Sequence, residues 1–261
     1  MASIVVSVTG RVASVTLSNP PKLNAMSRAM WRELRAAFQT IAGNPALRCV
    51  VVAGEVAGEG GHFSAGGDIS EYAAFRFNEA SLSEFHEGDV WGALQAMLDC
   101  DLPIVARIEG HCMGAGLEIA SCCDIRLASS NARFGAPIAK LGFPMAPREA
   151  ALVMGAVGEL TARDMLLAAS VLDAPHMLQR GFLNSVCSQA DLGATVHAYV
   201  DRICQLAPNA AALNKQSFRA LAQSIRAQAA TQLVANAYQY ADSHEHREGV
   251  SAFVEKRPPQ F

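Results

Sequence analysis

The chain has 261 residues, 51% of them hydrophobic and 17% charged, which supplies a sizeable packed core and excludes a disordered chain. Its net charge of −3, without a long basic run, excludes nucleic acid as the main partner, because phosphate binding needs concentrated Lys and Arg. No apolar run reaches the ~18 residues that span a membrane, and MASIVVSVTG lacks the basic and then apolar segments of a secretory leader, so a cytoplasmic protein without a membrane partner is expected.

In chain order, SIVVSVTG and VASVTLS are β-branched, alternate roughly, and are separated by Gly10-Arg11, the pattern of a hairpin. After the loop NPPKLNAM, Ser27 is placed to cap a helix over 28 to 42 whose apolar face is Met30, Leu34, Phe38 and Ile41. LRCVVVAG is a continuous apolar run suited to a strand buried on both faces. The glycine-dense loop EVAGEGGHFSAGGD follows, then a helix of about 20 residues near 80 to 100, the strand PIVARIEG, and later the strand DIRLAS. Alternating strands and helices predict parallel crossover units. Beyond Pro147 the chain reads as helix: 148 to 156, 160 to 169, 174 to 180, 192 to 206, 209 to 222, and 229 to 254 with a break. The expected organisation is an α/β core over 1–195 and a helical C-terminal region over 196–261.

The seven cysteines, Cys49, Cys100, Cys112, Cys122, Cys123, Cys187 and Cys204, form no C-x-x-C and sit mostly in apolar runs. They read as buried, reduced thiols.

Two stretches point to chemistry. FSAGGDI, residues 63 to 69, and MGAGLEI, residues 113 to 119, each place small residues between a strand and a helix. Backbone can approach a ligand closely there, and a helix N-terminus presents free N–H groups. If the two turns are adjacent, two amides can aim at one oxygen as an oxyanion hole. Taken singly, each is equally readable as a tight packing turn. Glu118, flanked by Leu117 and Ile119, is an acid in apolar company; desolvation raises such a carboxyl's pKa and suits it to move protons near neutrality. Ile119 stands where a G-x-G-x-x-G motif needs its third glycine, and no G-x-x-x-x-G-K-[ST] is present, which argues against a dinucleotide-dependent oxidoreductase and a P-loop.

The segments LSNPPKLNAM, HFSAGGDI, IEGHCMGAGLEIASCCDIRLAS, ARFGAPIAKLGF and REGVSAFVEKRPPQF, in this order and spacing, resemble the successive signatures of the crotonase, or enoyl-CoA hydratase/isomerase, family. The resemblance runs from residue 17 to the last residue. It implies an α/β crotonase-like fold of repeated ββα units with a helical C-terminal region that makes a homotrimer or a dimer of trimers. It also implies acyl-CoA as small-molecule substrate and partner, in fatty acid metabolism, with no cofactor beyond the coenzyme A of the substrate and no metal. Carried over by position, Gly67 and Ala115 are the oxyanion-hole donors and Glu118 the acid/base. Lys22, Asn24, Ala25, Ala65, Asp68 and Ile69 match the coenzyme A path. Phe253 and Lys256 match residues near the nucleotide end, in some assemblies contributed by a neighbouring subunit.

The sequence departs from the family at Ile138, where F-G-x-P-E would supply a second glutamate. A single acid suits a proton shuttle, so a one-base isomerase or a catalytically weak acyl-CoA-binding protein stands beside the hydratase reading. Glu149, in PMAPREAAL, is a candidate replacement, although a first-turn glutamate also complements a helix dipole. Glu71, Glu84 and Glu87 read as solvated. His86 borders the acyl pocket by resemblance and is the histidine to test as a catalytic auxiliary. His111 reads as packed beneath the second turn and His62 as a surface residue. His244 and His246 lie two apart, on different sides of a helix. Side chains from 72 to 98 and 138 to 146 are expected to line the pocket.

Overall fold

The structure is a computed structural model describing residues 2–57, 60–222 and 233–260. Residues 58 and 59 of the expected glycine-dense loop, residues 229 to 232 of the last expected helix, and Phe261 of the C-terminal signature lie outside the described residues.

A six-stranded sheet runs β1 (Ser3–Thr9), β2 (Val12–Ser18), β3 (Cys49–Gly54), β6 (Ile104–Ile108), β8 (Ile125–Ser129) and β11 (Ser185–Cys187). β1 and β2 form the expected hairpin, with Thr9 opposite Val12, and the remaining neighbours are parallel. Two smaller sheets stand apart: the ribbon β4 (Val56–Ala57) with β5 (Gly60–Gly61), and β7 (His111–Met113), β9 (Arg133–Gly135) and β10 (Val171–Asp173). These short strands escaped the sequence reading because two or three residues carry no measurable period.

The unit of two strands and a helix recurs. α1 (Arg28–Ala42) follows the hairpin, and Ser27 caps it by accepting from the Met30 amide. Its buried face holds Met30, Leu34, Phe38 and Ile41 as expected, with Trp31 in addition. Burying such side chains contributes about 1.5–3 kcal/mol each. The helix expected near 80 to 100 is present as three consecutive segments, α2 (Glu79–Ser83), a π-helical stretch (Glu84–Val90) and α3 (Trp91–Asp99). One wide turn shifts the register of the inward face, so that Phe85 and His86 are buried. α4 (Ala115–Cys122) is buried along its whole length.

Both faces of the sheet are covered, as the unbroken apolar run of β3 requires. Val50, Val52, Ile104 and Ala106 join the core made with Leu34 and Phe38 of α1 and Leu94 and Met97 of α3. Cys49, Val105 and Leu127 pack against Leu192, Val196 and Val200 of α8 (Gln189–Gln205). Residue 195 therefore lies within a helix that packs on the sheet.

The other helices are α5 (Pro147–Val157), α6 (Glu159–Leu167), α7 (Ala174–Gln179), α9 (Pro208–Ala222) and α10 (His244–Val254). The helical stretch expected over 229 to 254 has its expected break before Ser243. Short 3₁₀ turns at Val234–Asn236 and Gln239–Asp242 precede Ser243, whose extended backbone ends them and whose side chain caps α10 by accepting from the His246 amide. The turns are held by Tyr238 and Ala241 packing on Leu82 and Ala146. All seven cysteines are free; Cys187 and Cys204 are half-buried and the other five buried. Among the described residues no helix is long and apolar enough to cross a membrane.

Candidate active site

The two glycine-rich turns meet. Ser64 donates its amide to the His111 carbonyl at 2.8 Å, and the Met113 amide donates to the Ser64 carbonyl at 2.9 Å. The first turn is also tied to the NPPKLNAM loop, through Ala65 N–H to the Leu23 carbonyl and Met26 N–H to the Gly66 carbonyl. Gly114 enters α4 at φ +45°, where a side chain is strained, and an added Cβ would lie 3.7 Å from the Gly66 Cα. At Gly67 an added Cβ would lie 2.2 Å from the Tyr72 hydroxyl, so the absent side chain makes room for that ring. Gly67 and Ala115 line one cavity of about 270 Å³. Ala115 is the first residue of α4, so its N–H has no intrahelical acceptor. The Gly67 N–H donates to no backbone carbonyl among the described residues.

Glu118 sits one turn into α4, on the wall of the same cavity, and its carboxyl makes no hydrogen bond with another described residue. Burial, and then the charge of Glu149, push its pKa well above the usual range, with Arg76 opposing. Glu149 is in the first turn of α5, as its sequence position suggests, but it is buried and faces the cavity. Burial pushes it to about 8, against the nearby Arg76 cation. Its Oε1 is 2.7 Å from His86 Nδ1. That distance suits an ion pair, but burial holds His86 well below its ordinary pKa and raises Glu149, so a hydrogen bond between neutral groups describes it better. His86 stacks on Tyr238 with centroids 5.5 Å apart, and its Nε2 has no partner among the described residues.

Ile138 is on the cavity wall, in a 3₁₀ turn over Ile138–Leu141, so no carboxylate follows Pro137. The pocket also draws on the stretches expected to line it, with Tyr72, Phe85 and Val90 from one and Leu141, Phe143 and Met145 from the other. Arg76 joins them and had no signal in the sequence: a lone arginine between two phenylalanines reads as surface until the fold closes over it.

The remaining expected residues divide. Ala65, Ile69 and Phe253 line the cavity, Phe253 from the same chain while still 56% exposed. Lys22 lies outside it, with Nζ 2.7 Å from Asp68 Oδ2 and 2.7 Å from Ser70 Oγ. Asn24 holds the loop together, donating to the Glu55 and His62 carbonyls and accepting from the Asn19 amide. Ala25 is buried and accepts from the Asn19 side chain. Lys256 is exposed beyond α10.

Of the other acids, Glu71 accepts from the Arg28 amide and Glu84 pairs with Arg28 at 3.0 Å. Glu87 is partly buried between Arg148 and Tyr238, not solvated. His62 departs from its surface reading: it is half-buried, stacked on His111 at 4.7 Å, and accepts from the His111 amide. His246 is fully buried, whereas His244 is exposed. Among the described residues no cluster of three His, Cys, Asp or Glu side chains is arranged to hold a metal ion.

The Glu149 shift has a stability consequence. A carboxyl raised to about 8 from 4.5 keeps its proton in the fold after the unfolded chain has released it, so stability falls as pH rises through that window. The slope approaches about 1.4 kcal/mol per pH unit for one group. Glu149→Gln, neutral at every pH, is expected to gain stability over wild type at about pH 8 and to lose that advantage near pH 5. Urea unfolding midpoints at the two pH values check this; an equal offset at both would contradict the shift.

A family model described as enoyl-CoA hydratase/isomerase matches residues 8–261. The chain is similar to a probable enoyl-CoA hydratase of Mycobacterium bovis (28% identity over 251 residues, 96% of this chain and 94% of that one). It is also similar to the 2,3-dehydroadipyl-CoA hydratase of Escherichia coli K12 (29% identity over 268 residues, 100% and 99%). Among solved structures, an enoyl-CoA hydratase/carnithine racemase from Magnetospirillum magneticum matches with a TM-score of 0.81 and 32% identity, covering 100% of this chain and 96% of its own.

Proposed function

From the premise that the chain belongs to the enoyl-CoA hydratase/isomerase family, we propose that it adds water across the α,β double bond of an enoyl-CoA, with Glu118 and Glu149 as its two acids. The observation that carries the reading is the convergence of Gly67, Ala115, Glu118 and Glu149 on one cavity. The thioester oxygen accepts from the Gly67 and Ala115 amides, and the enolate charge that develops there is stabilised by about 3–4 kcal/mol per donor. The pair works while holding one proton. The ionised carboxylate takes a proton from water as the water oxygen bonds to the β-carbon. The protonated carboxyl delivers its proton to the α-carbon as the enolate collapses. The product gains H and OH, and the pair ends with one proton, on the other residue. Glu149 thus supplies the acid that Ile138 lacks, and His86 positions it.

The raised carboxyls set the pH dependence. Burial lifts Glu149 to about 8 and Glu118 well above the usual carboxylate range, so falling pH protonates the pair and removes its base. The rate constant kcat/KM is expected to rise about tenfold per pH unit until about pH 8. A profile already flat at neutrality would contradict it.

A second reading, a one-base isomerase using Glu118 alone, is favoured by Ile138 on the cavity wall. The deciding assay gives crotonyl-CoA and a 3-enoyl-CoA to wild type, Glu118→Gln and Glu149→Gln. Hydration lost in both variants supports the two-acid reading. Conversion of the 3-enoyl thioester alone, lost in Glu118→Gln and kept in Glu149→Gln, supports the isomerase. Tight binding without conversion marks an acyl-CoA-binding protein. The homotrimer or dimer of trimers belongs to the same proposal, and the exposed Leu213, Phe218 and Leu221 of α9 offer apolar area for it. Light scattering reads the subunit number.

A further inference from the structure

Arg76 is 1% exposed, yet it lines the cavity that holds Glu118 and Glu149. Its guanidinium lies over the Phe143 ring at 4.0 Å and the Tyr72 ring at 4.3 Å. Its polar contact with protein is a long hydrogen bond from Nη2 to the Tyr240 hydroxyl, at 3.4 Å. Among the described residues the buried Nε has no partner and no carboxylate pairs with the side chain.

A buried arginine without a counter-ion is costly, because its hydration is lost and no charge replaces it. Two aromatic faces offset part of that cost. Apart from the long bond to Tyr240, they leave the planar fork of donors that suits a carboxylate unpaired with any described residue. Neither acid of the cavity is within ion-pair or hydrogen-bond distance of the guanidinium, and burial shifts both Glu118 and Glu149 toward their neutral forms. His86 is held neutral as well, and Tyr72 and Tyr240 are pushed further from ionisation by burial. The guanidinium is therefore the buried standing charge of the chamber, whose other lining cation, Lys140, is exposed to solvent.

We infer that Arg76 receives a carboxylate carried by the acyl group itself, so that the substrate class is a dicarboxylic acyl-CoA. The inference rests on the acyl-CoA reading above and narrows it. Arg76 acts in binding and selectivity, pairing with the far end of the acyl chain while the two amides hold the thioester end.

The test compares matched pairs in which a terminal methyl becomes a carboxylate: butyryl-CoA with succinyl-CoA, and hexanoyl-CoA with adipyl-CoA. All four are saturated, so binding is measured by calorimetry whatever reaction the enzyme performs. Wild type is expected to bind the diacid about tenfold or more tightly in at least one pair. The favoured pair reports how far the guanidinium stands from the thioester. Arg76→Gln is expected to bring that ratio close to one, and Arg76→Lys to restore part of it. Equal or weaker binding of the diacid in both pairs by wild type overturns the inference while leaving the acyl-CoA reading intact. The wild-type ratios decide this even if the variants do not fold. Failure of all four thioesters to bind removes the acyl-CoA reading and this inference with it. A loss in Arg76→Gln that is equally large for free coenzyme A assigns the residue to coenzyme A phosphates and overturns the inference.

Discussion

Glu118→Gln is expected to lower kcat by about three orders of magnitude or more while leaving the melting temperature equal to wild type or higher. The second half of that expectation separates a catalytic acid from a structural one. The Glu118 carboxyl is buried between apolar neighbours and makes no hydrogen bond with another described residue. Its burial raises its pKa well above the usual range, so the fold bears a desolvation cost with no local gain. Glutamine keeps the shape and removes the ionisable proton. A stability that rises as activity disappears is the mark of a site that trades the first for the second. Loss of the conjugated thioester absorbance of crotonyl-CoA, followed beside a thermal melt, reads both. Activity retained within tenfold would remove Glu118 from the reaction, and a large drop in melting temperature would give it a packing role.

Gly142→Ala is expected to be among the most destabilising single substitutions in the chain, by about 3 kcal/mol or more. Gly142 ends the 3₁₀ turn Ile138–Leu141 at φ +71°, a left-handed conformation in which a Cβ is strained. A Cβ there would lie 1.9 Å from the Glu245 carbonyl oxygen in the first turn of α10. The obstacle is backbone, so no rotamer change relieves it. From the other side, a Cβ at Gly249 would lie 2.3 Å from the Leu141 carbonyl carbon. The helix and the turn thus pack backbone to backbone, and that turn carries Ile138 and Leu141 on the cavity wall. The substitution is expected to lower the melting temperature by about 6–12 °C and to weaken acyl-CoA binding together with stability. Limited proteolysis that releases the C-terminal segment in the variant, and not in wild type, would locate the damage. A melting temperature within about 1 °C of wild type would mean that the close approach is not maintained in solution.

Much of the scaffold was legible because its signals are local. Met30, Leu34, Phe38 and Ile41 recur at helical spacing and all are buried. The unbroken run through Cys49, Val50, Val51 and Val52 announced a strand covered on both faces, and α1 and α8 cover it. The helix expected near 80 to 100 is there, but its π-helical stretch was not legible, because hydrophobic period does not distinguish a wide turn from a regular one when both faces are partly apolar. The break expected within 229 to 254 falls at Ser243, a residue type that favours helix starts and here caps α10.

The amino-acid order by itself determined the family-like succession of motifs, the two glycine-rich turns, and an acid placed among apolar residues at Glu118. Small residues and a carboxyl beside Leu117 and Ile119 carry their meaning in their immediate neighbours. The tertiary structure alone decided that the turns stack, with the Ser64 amide on the His111 carbonyl, and that Glu149 meets His86 across 63 positions of chain. It also decided that Arg76, with no carboxylate paired to it among the described residues, lines the chamber of Glu118 and Glu149. A single charged residue in a helical stretch has the same local pattern whether it faces water or a cavity. What separates the two is desolvation, and desolvation comes from elements distant in sequence that close over the side chain.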